Sequence, residues 1–167
     1  MAKIVTIEKS IVINAPIDEV WRVSATDFVH IDQWDGNVKS SSSSGQGNGE
    51  SPSAGRVCNM YNGGMTVEKL VEFDAEKHSF KYDIVEGLPG FVVHARNSWI
   101  HQPMKNGKTR LTMKLAMQVK GILGTLMRIP MKSQMGKVLG KAQEELKHYV
   151  EFGKPHPRKQ KKARSAV

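Results

Sequence analysis

Residues Thr109 to Val119 alternate without a break, and a long amphipathic stretch, Gly121 to Phe152, follows directly; no other feature limits the possible folds so tightly. Leu111, Met113, Leu115, Met117 and Val119 take one side of the strand, and Arg110, Thr112, Lys114 and Gln118 the other. That is the pattern of an antiparallel sheet dry on one face and wet on the other. Beyond it, Leu123, Met127, Met131, Met135, Val138, Leu139, Ala142, Leu146, Tyr149 and Val150 recur at helical spacing. Pro130 should kink or split this helix near its first turns, and Gly153 and Pro155 should stop it.

The preceding chain supplies the rest of the sheet. Lys3 to Ile13 reads as a strand, ended by Asn14-Ala15-Pro16, with proline suited to a first helical position. Ile17, Val20, Trp21 and Ser24 share one face of a short helix, and Asp27 is placed to cap a second carrying Phe28, Ile31 and Trp34. Ser40 to Gly55 is serine- and glycine-rich and nearly devoid of apolar side chains, so it reads as a mobile loop between strands. From Arg56 to Val119 strands alternate with turns, among them Asn62-Gly63-Gly64 and Asn106-Gly107. The expectation is an α+β domain: six to seven curved antiparallel strands wrapped around a long C-terminal helix, the only element long enough to cover the apolar face. No internal repeat is visible.

Charge narrows the function. The chain carries a net +9, but Gly153 to Val167 hold six Lys or Arg and no acid, leaving 19 basic against 16 acidic residues elsewhere. The basic character thus lies mostly in a tail, expected to be disordered over residues 154–167, behind one ligand-binding domain over residues 1–153. Aromatic side chains for base stacking are missing around it, which argues against nucleic acid; weak contact with an anionic membrane remains open. The lone Cys58 offers neither an internal disulfide nor metal-ligand spacing, so no metal and no cofactor is expected. Without a signal-like or membrane-spanning apolar run, the expected location is cytoplasmic, as a monomer or homodimer.

Several short runs, in order, resemble one superfamily: Ile11-Val12-Ile13-Asn14-Ala15-Pro16, Val20-Trp21, Asp27-Phe28 and Trp34, then Glu68-Lys69-Leu70, Gly87-Leu88-Pro89 and Lys120-Gly121-Ile122-Leu123-Gly124. The chain is similar to the START and birch-allergen-like proteins, particularly their polyketide cyclase/dehydrase-like branch. The resemblance covers roughly Ile4 to Gly153 and implies a helix-grip fold around an internal cavity. It also implies that Lys39 and Glu68, at the places of two pocket residues in the plant hormone-receptor branch, handle the ligand's polar end. Residues Ser40 to Gly55 and Leu88-Pro89-Gly90 do not reproduce that branch.

The residues themselves suggest further candidates. Met60, Met113 and Met117 on strands, with Met127, Met131, Met135 and Leu139 on the helix, would either line an adaptable apolar cavity or fill a closed core. Tyr82, on one face with Phe80 and Ile84, offers a hydroxyl to the cavity wall. His94 and Arg96 share one strand face with Val92, Ser98 and Ile100, while Ala95, Asn97 and Trp99 share the other, and neither face is plainly apolar. Were the first face inward, Arg96 could clamp a carboxylate and His94 could move protons. The function this supports is binding of a hydrophobic small molecule such as a lipid, polyketide or aromatic metabolite. The alternatives are a cyclase or dehydrase acting in the same cavity and an adaptor working through its basic tail.

Overall fold

A computed structural model describes residues 2–166. Strand β1 (Lys3–Ile13) leads into helix α1 (Ile17–Trp21), a π turn (Arg22–Thr26) and a 3-10 segment (Phe28–Gln33). Strands β2 (Val38–Ser43), β3 (Gly55–Met60), β4 (Met65–Asp74), β5 (Ser79–Glu86), β6 (Val92–Pro103) and β7 (Thr109–Val119) follow, then helices α2 (Gly121–Leu126), α3 (Arg128–Phe152) and α4 (Pro157–Ser165). The strands form one seven-stranded antiparallel sheet in the order β1-β7-β6-β5-β4-β3-β2. This is the helix-grip fold, with α3 lying along the concave face.

Each edge of the sheet is tied to a neighbouring element over part of its length, which limits the unpaired strand edge. On β1, Gln143 Nε2 of α3 donates to the carbonyl of Lys9 at 2.8 Å and Lys147 Nζ to that of Val12 at 2.6 Å. Beside β2, Ser41 Oγ donates to Asp32 Oδ1 at 2.7 Å, tying that strand to the 3-10 segment.

Pro130 falls in the first turn of α3, where no intrahelical donor is needed, and the break lies just before it at Met127. Helix α2 then comes down onto the sheet through Gly124, whose absent side chain would stand 3.2 Å from Val119 Cβ and 3.5 Å from the Phe91 carbonyl. At this end of the sheet Met117 and Met131 are packed into the core, and Met127 is half-buried at the joint.

At the opposite end an aromatic cluster closes the concavity. Trp21 meets Phe73 at 5.1 Å and His101 edge-on at 5.3 Å, and Phe80 stacks on Trp99 at 5.1 Å. Such pairs each contribute about 0.5–1.5 kcal/mol beyond their burial. Burial lowers the pKa of His101 to about 4, so the ring is neutral. Its Nδ1–H donates to the His78 carbonyl at 2.9 Å, since a carbonyl can only accept, leaving Nε2 to accept from Ser24 Oγ at 2.8 Å.

Two sequence expectations need correction here. The serine-rich segment is not all loop: Ser40 to Ser43 pair with Arg56 to Asn59, and Ser53 is buried, its hydroxyl donating to the Gly55 carbonyl at 2.6 Å. Serine hydroxyls can supply local hydrogen bonds where apolar burial is lacking. Nor is the basic tail disordered. His156 caps α4 by accepting from the Arg158 amide, and Pro157 occupies its first turn. Lys159 is buried and donates to the carbonyls of Asp35 at 3.1 Å and Val38 at 2.7 Å. Arg158 Nε meets Glu145 Oε1 at 2.9 Å, and Glu145 Oε2 accepts from the Gly36 amide at 2.7 Å. A side chain on Gly36 would collide with that carboxylate at 2.6 Å.

Candidate functional site

Between the two closed ends, sheet and helix stand apart around a cavity of about 320 Å³. Its apolar wall is built by Ile31 and Val38 near β2, Met60 of β3, Ile84 of β5, Leu88 of the β5–β6 turn, Met113 and Leu115 of β7, and Met135, Val138, Leu139 and Ala142 of α3. Asp35, Asn37, Thr66, Glu68, Tyr82, Asn97 and Trp99 add polar atoms. The volume lies at the lower end of the range of about 300–1,000 Å³ usual for small-molecule sites. A groove of about 820 Å³ between β1 and α3 is larger, but it is a surface channel edged by Lys9, Lys132, Lys137 and Lys141.

The polar groups are organised in layers. Arg56 and Glu68 are directly paired across β3 and β4, and both are buried, with Arg56 Nε 2.7 Å from Glu68 Oε2. Arg56 also donates from Nη1 to the Phe28 carbonyl at 2.6 Å, and its guanidinium lies 3.8 Å from the centroid of the Phe28 ring. Burial opposes the guanidinium's charge, yet Glu68 beside it holds the Arg56 pKa above its ordinary value. No protein donor meets the other Glu68 oxygen, Oε1, among the described residues. Tyr82 accepts from Asn97 Nδ2 at 2.9 Å, which leaves its own hydroxyl proton free to donate. Asn97 Oδ1 and Trp99 Nε1 are buried without any partner among the described residues. Burial pushes the Tyr82 hydroxyl pKa up, so it stays protonated. Asp35 is pushed up to about 6 by desolvation, opposed by its hydrogen bond from the Asn37 amide.

Of the candidates picked from the sequence, Met60, Glu68, Tyr82, Met113, Met135 and Leu139 stand on the cavity wall. Met117, Met127 and Met131 do not, because α2 and the start of α3 close onto the sheet around them. Lys39 is exposed and off the cavity wall: β2 shifts register between buried Val38 and exposed Ser40, and Lys39 is the residue at that irregularity, without a partner in β3. His94 and Arg96 are also on the convex face, where both meet Asp83, Arg96 through Nε at 2.6 Å and Nη2 at 2.9 Å, and His94 through Nε2 at 3.2 Å. Hydrogen bonds from Arg96, the largest effect, and from His94 keep the Asp83 carboxyl below its ordinary range, against the opposing pull of partial burial.

The inward face of β6 is instead Ala95, Asn97, Trp99 and His101, opposite Met117, Leu115, Met113 and Leu111 of β7. Sequence reading missed Arg56, Asp35, Asn97 and Trp99. For Arg56 the signal was present, since it alternates with Cys58 and Met60 in β3 and faces Glu68 in the neighbouring strand.

A single helix-grip domain enclosing a mostly apolar cavity defines the class. A family model described as polyketide cyclase / dehydrase and lipid transport matches residues 5–151, and the chain belongs to that family. No curated protein shows significant sequence similarity to it. Among solved structures it is similar to a START superfamily protein from Mycobacterium smegmatis, with a TM-score of 0.72 at 16% identity over 88% of this chain and 97% of the other. A protein from Thermus thermophilus gives 0.72 at 18% identity, over 89% and 98%. A norcoclaurine synthase point mutant from Thalictrum flavum, in complex with a transition-state analogue, gives 0.72 at 15% identity, over 92% and 98%. At these identities the likeness is one of fold.

Proposed function

We propose that the chain binds a small, largely apolar molecule in this cavity and holds one polar group of it against Asn97, Trp99 and Tyr82. The observation that carries the reading is the pair Asn97 Oδ1 and Trp99 Nε1, which, with Thr66 Oγ1, are buried without a partner among the described residues on the wall of a mostly apolar space. A buried polar atom left unpaired costs about 1–3 kcal/mol, and a ligand carrying both a donor and an acceptor, such as a hydroxyl, would satisfy the two together. The volume suits a small ring system or one short acyl chain better than a two-chain lipid. Glu68, anchored by Arg56, has one carboxylate oxygen left for the same ligand.

Native mass spectrometry of protein purified from its own cells tests this. A bound small molecule released on unfolding supports the reading. Protein that arrives empty, and whose melting point no member of a panel of phenols, medium-chain fatty acids and aromatic polyketides raises, refutes it.

A second reading, a cyclase or dehydrase, is favoured by Asp35. A cavity-wall carboxyl with a pKa of about 6 is suited to giving and taking protons near neutral pH. Its catalysis would come mainly from holding a flexible substrate in one folded pose. The norcoclaurine synthase neighbour shows that this fold can carry an enzyme. Asp35→Asn would then abolish turnover of the bound compound while leaving its affinity nearly unchanged.

A further inference from the structure

Helix α2 and the first turn of α3 carry an aliphatic surface that no other part of the described chain covers. Ile122 is 83% exposed, Leu123 58%, Leu126 70% and Ile129 83%. Contiguous apolar side chains left in water at this level mark an interaction site. The patch has a rigid seat, because Gly124 on the same short helix is buried against Val119 and Phe91. The outward side chains are therefore presented by a fixed turn.

Charge identifies the occupant. Lys120, Arg128 and Lys132 flank the four aliphatic residues. From Gly87 to Gln143 the sequence has ten Lys or Arg and no Asp or Glu. A patch aliphatic at its centre, with Lys120, Arg128 and Lys132 beside it and no acid in its own segment, matches an anionic bilayer: aliphatic side chains enter the acyl boundary while lysines remain at the headgroups. The patch has no aromatic side chain to stack on bases. It also lies close to the cavity, since Met135, on the cavity wall, is six residues beyond Ile129 on α3, about 9 Å along the helix axis.

We propose that this α2–α3 knuckle docks the protein on anionic membrane surfaces, beside the cavity. The contact is placed on the knuckle: in the C-terminal tail, Arg158 and Lys159 are held by Glu145 and by the Asp35 and Val38 carbonyls, and the exposed Lys154, Lys161, Lys162 and Arg164 have no aliphatic patch among them. It stands or falls separately from ligand binding.

Vesicle co-sedimentation tests it, using the full chain, vesicles of phosphatidylcholine alone, and vesicles with about a third phosphatidylserine. The full chain should bind the anionic vesicles at least about tenfold more tightly than the neutral ones. Leu126→Ser with Ile129→Ser should weaken that binding by about tenfold or more, and Lys120→Glu with Lys132→Glu should do the same. Circular dichroism and the unfolding midpoint establish that both double variants remain folded, as expected for exposed positions. Equal binding to both vesicle types, or full binding by the serine variant, would overturn the proposal. So would a concentration-dependent dimer in sedimentation velocity that the serine pair dissolves, which would give the face to a second copy of the chain.

Discussion

Arg56 and Glu68 face each other across β3 and β4 and turn inward together, Nε to Oε2 at 2.7 Å, both buried, with the Phe28 and Tyr82 rings beside the guanidinium. Removing one partner leaves an unbalanced buried charge, which costs about 3–5 kcal/mol. Arg56→Met should therefore destabilise the protein by about that amount in urea denaturation. Arg56→Met combined with Glu68→Leu should recover most of the loss, because both desolvation costs then disappear. The double variant should also bind the ligand more weakly, as the free Glu68 oxygen goes with it.

Two groups give the stability a pH dependence of opposite sign. His101 has a pKa of about 4 when folded against 6.5 ordinarily, so the unfolded chain takes up a proton that the folded chain refuses. Its contribution is complete above pH 6.5 and is lost as the pH falls towards 4, a difference of roughly 3 kcal/mol at most. Asp35 does the reverse: the folded carboxyl keeps its proton up to about 6, while the unfolded one releases it near 3.8. Its effect is to lower stability as the pH rises from 3.8 to 6. Between pH 4 and 6 the two slopes oppose each other. Asp35→Asn should remove one of them, raising stability at neutral pH and making the acid-side fall steeper. Urea midpoints measured across that interval would show both effects.

The clasp formed by α4 should be measurable. Arg158→Ala leaves buried Glu145 with only the Gly36 amide, and Lys159→Met leaves the Asp35 and Val38 carbonyls without their charged donor. Each should cost about 1–3 kcal/mol, and amide hydrogen exchange at Gly36 and Val38 should speed up. Unchanged stability and exchange would mean that the tail is not held there.

Cys58 is buried beside the Arg56–Glu68 pair, and its thiol is pushed up to about 12, chiefly by burial and next by the Glu68 charge. Reactivity depends on the thiolate. Iodoacetamide at mildly alkaline pH should leave the native thiol unmodified and label it fully in urea, as a mass shift would report.

The architecture was legible in the sequence because strand alternation and helical spacing are strong where one face is dry, as in Thr109 to Val119. The sidedness of the polar strands was not. In β6 the residues of both faces are mixed, and only pairing with β7 sets Asn97 opposite Leu115 and Trp99 opposite Met113 on the concave side. A shift of one residue reverses a strand's faces, and a register shift between Val38 and Ser40 lies where buried Val38 gives way to exposed Lys39. The methionines divided for another reason: whether Met113 meets a void and Met117 a packed wall depends on where α2 lands, which Gly124 determines from outside the strand. The tail misled because its composition is almost wholly polar, while Lys159 and Arg158 find their partners far back in the chain, at Asp35 and Val38, or on the preceding helix, at Glu145.

The proposed function rests on a cavity open to a ligand, with Trp99 on its wall. The direct measurement is a 15N-1H correlation spectrum of the indole resonances during titration with 2-naphthol and decanoic acid. We expect at least one probe to shift the Trp99 indole signal saturably, and Ala142→Phe, which fills the cavity, to abolish that shift in a protein that still folds. An indole signal unmoved by either probe, or a shift that survives Ala142→Phe, would contradict the account.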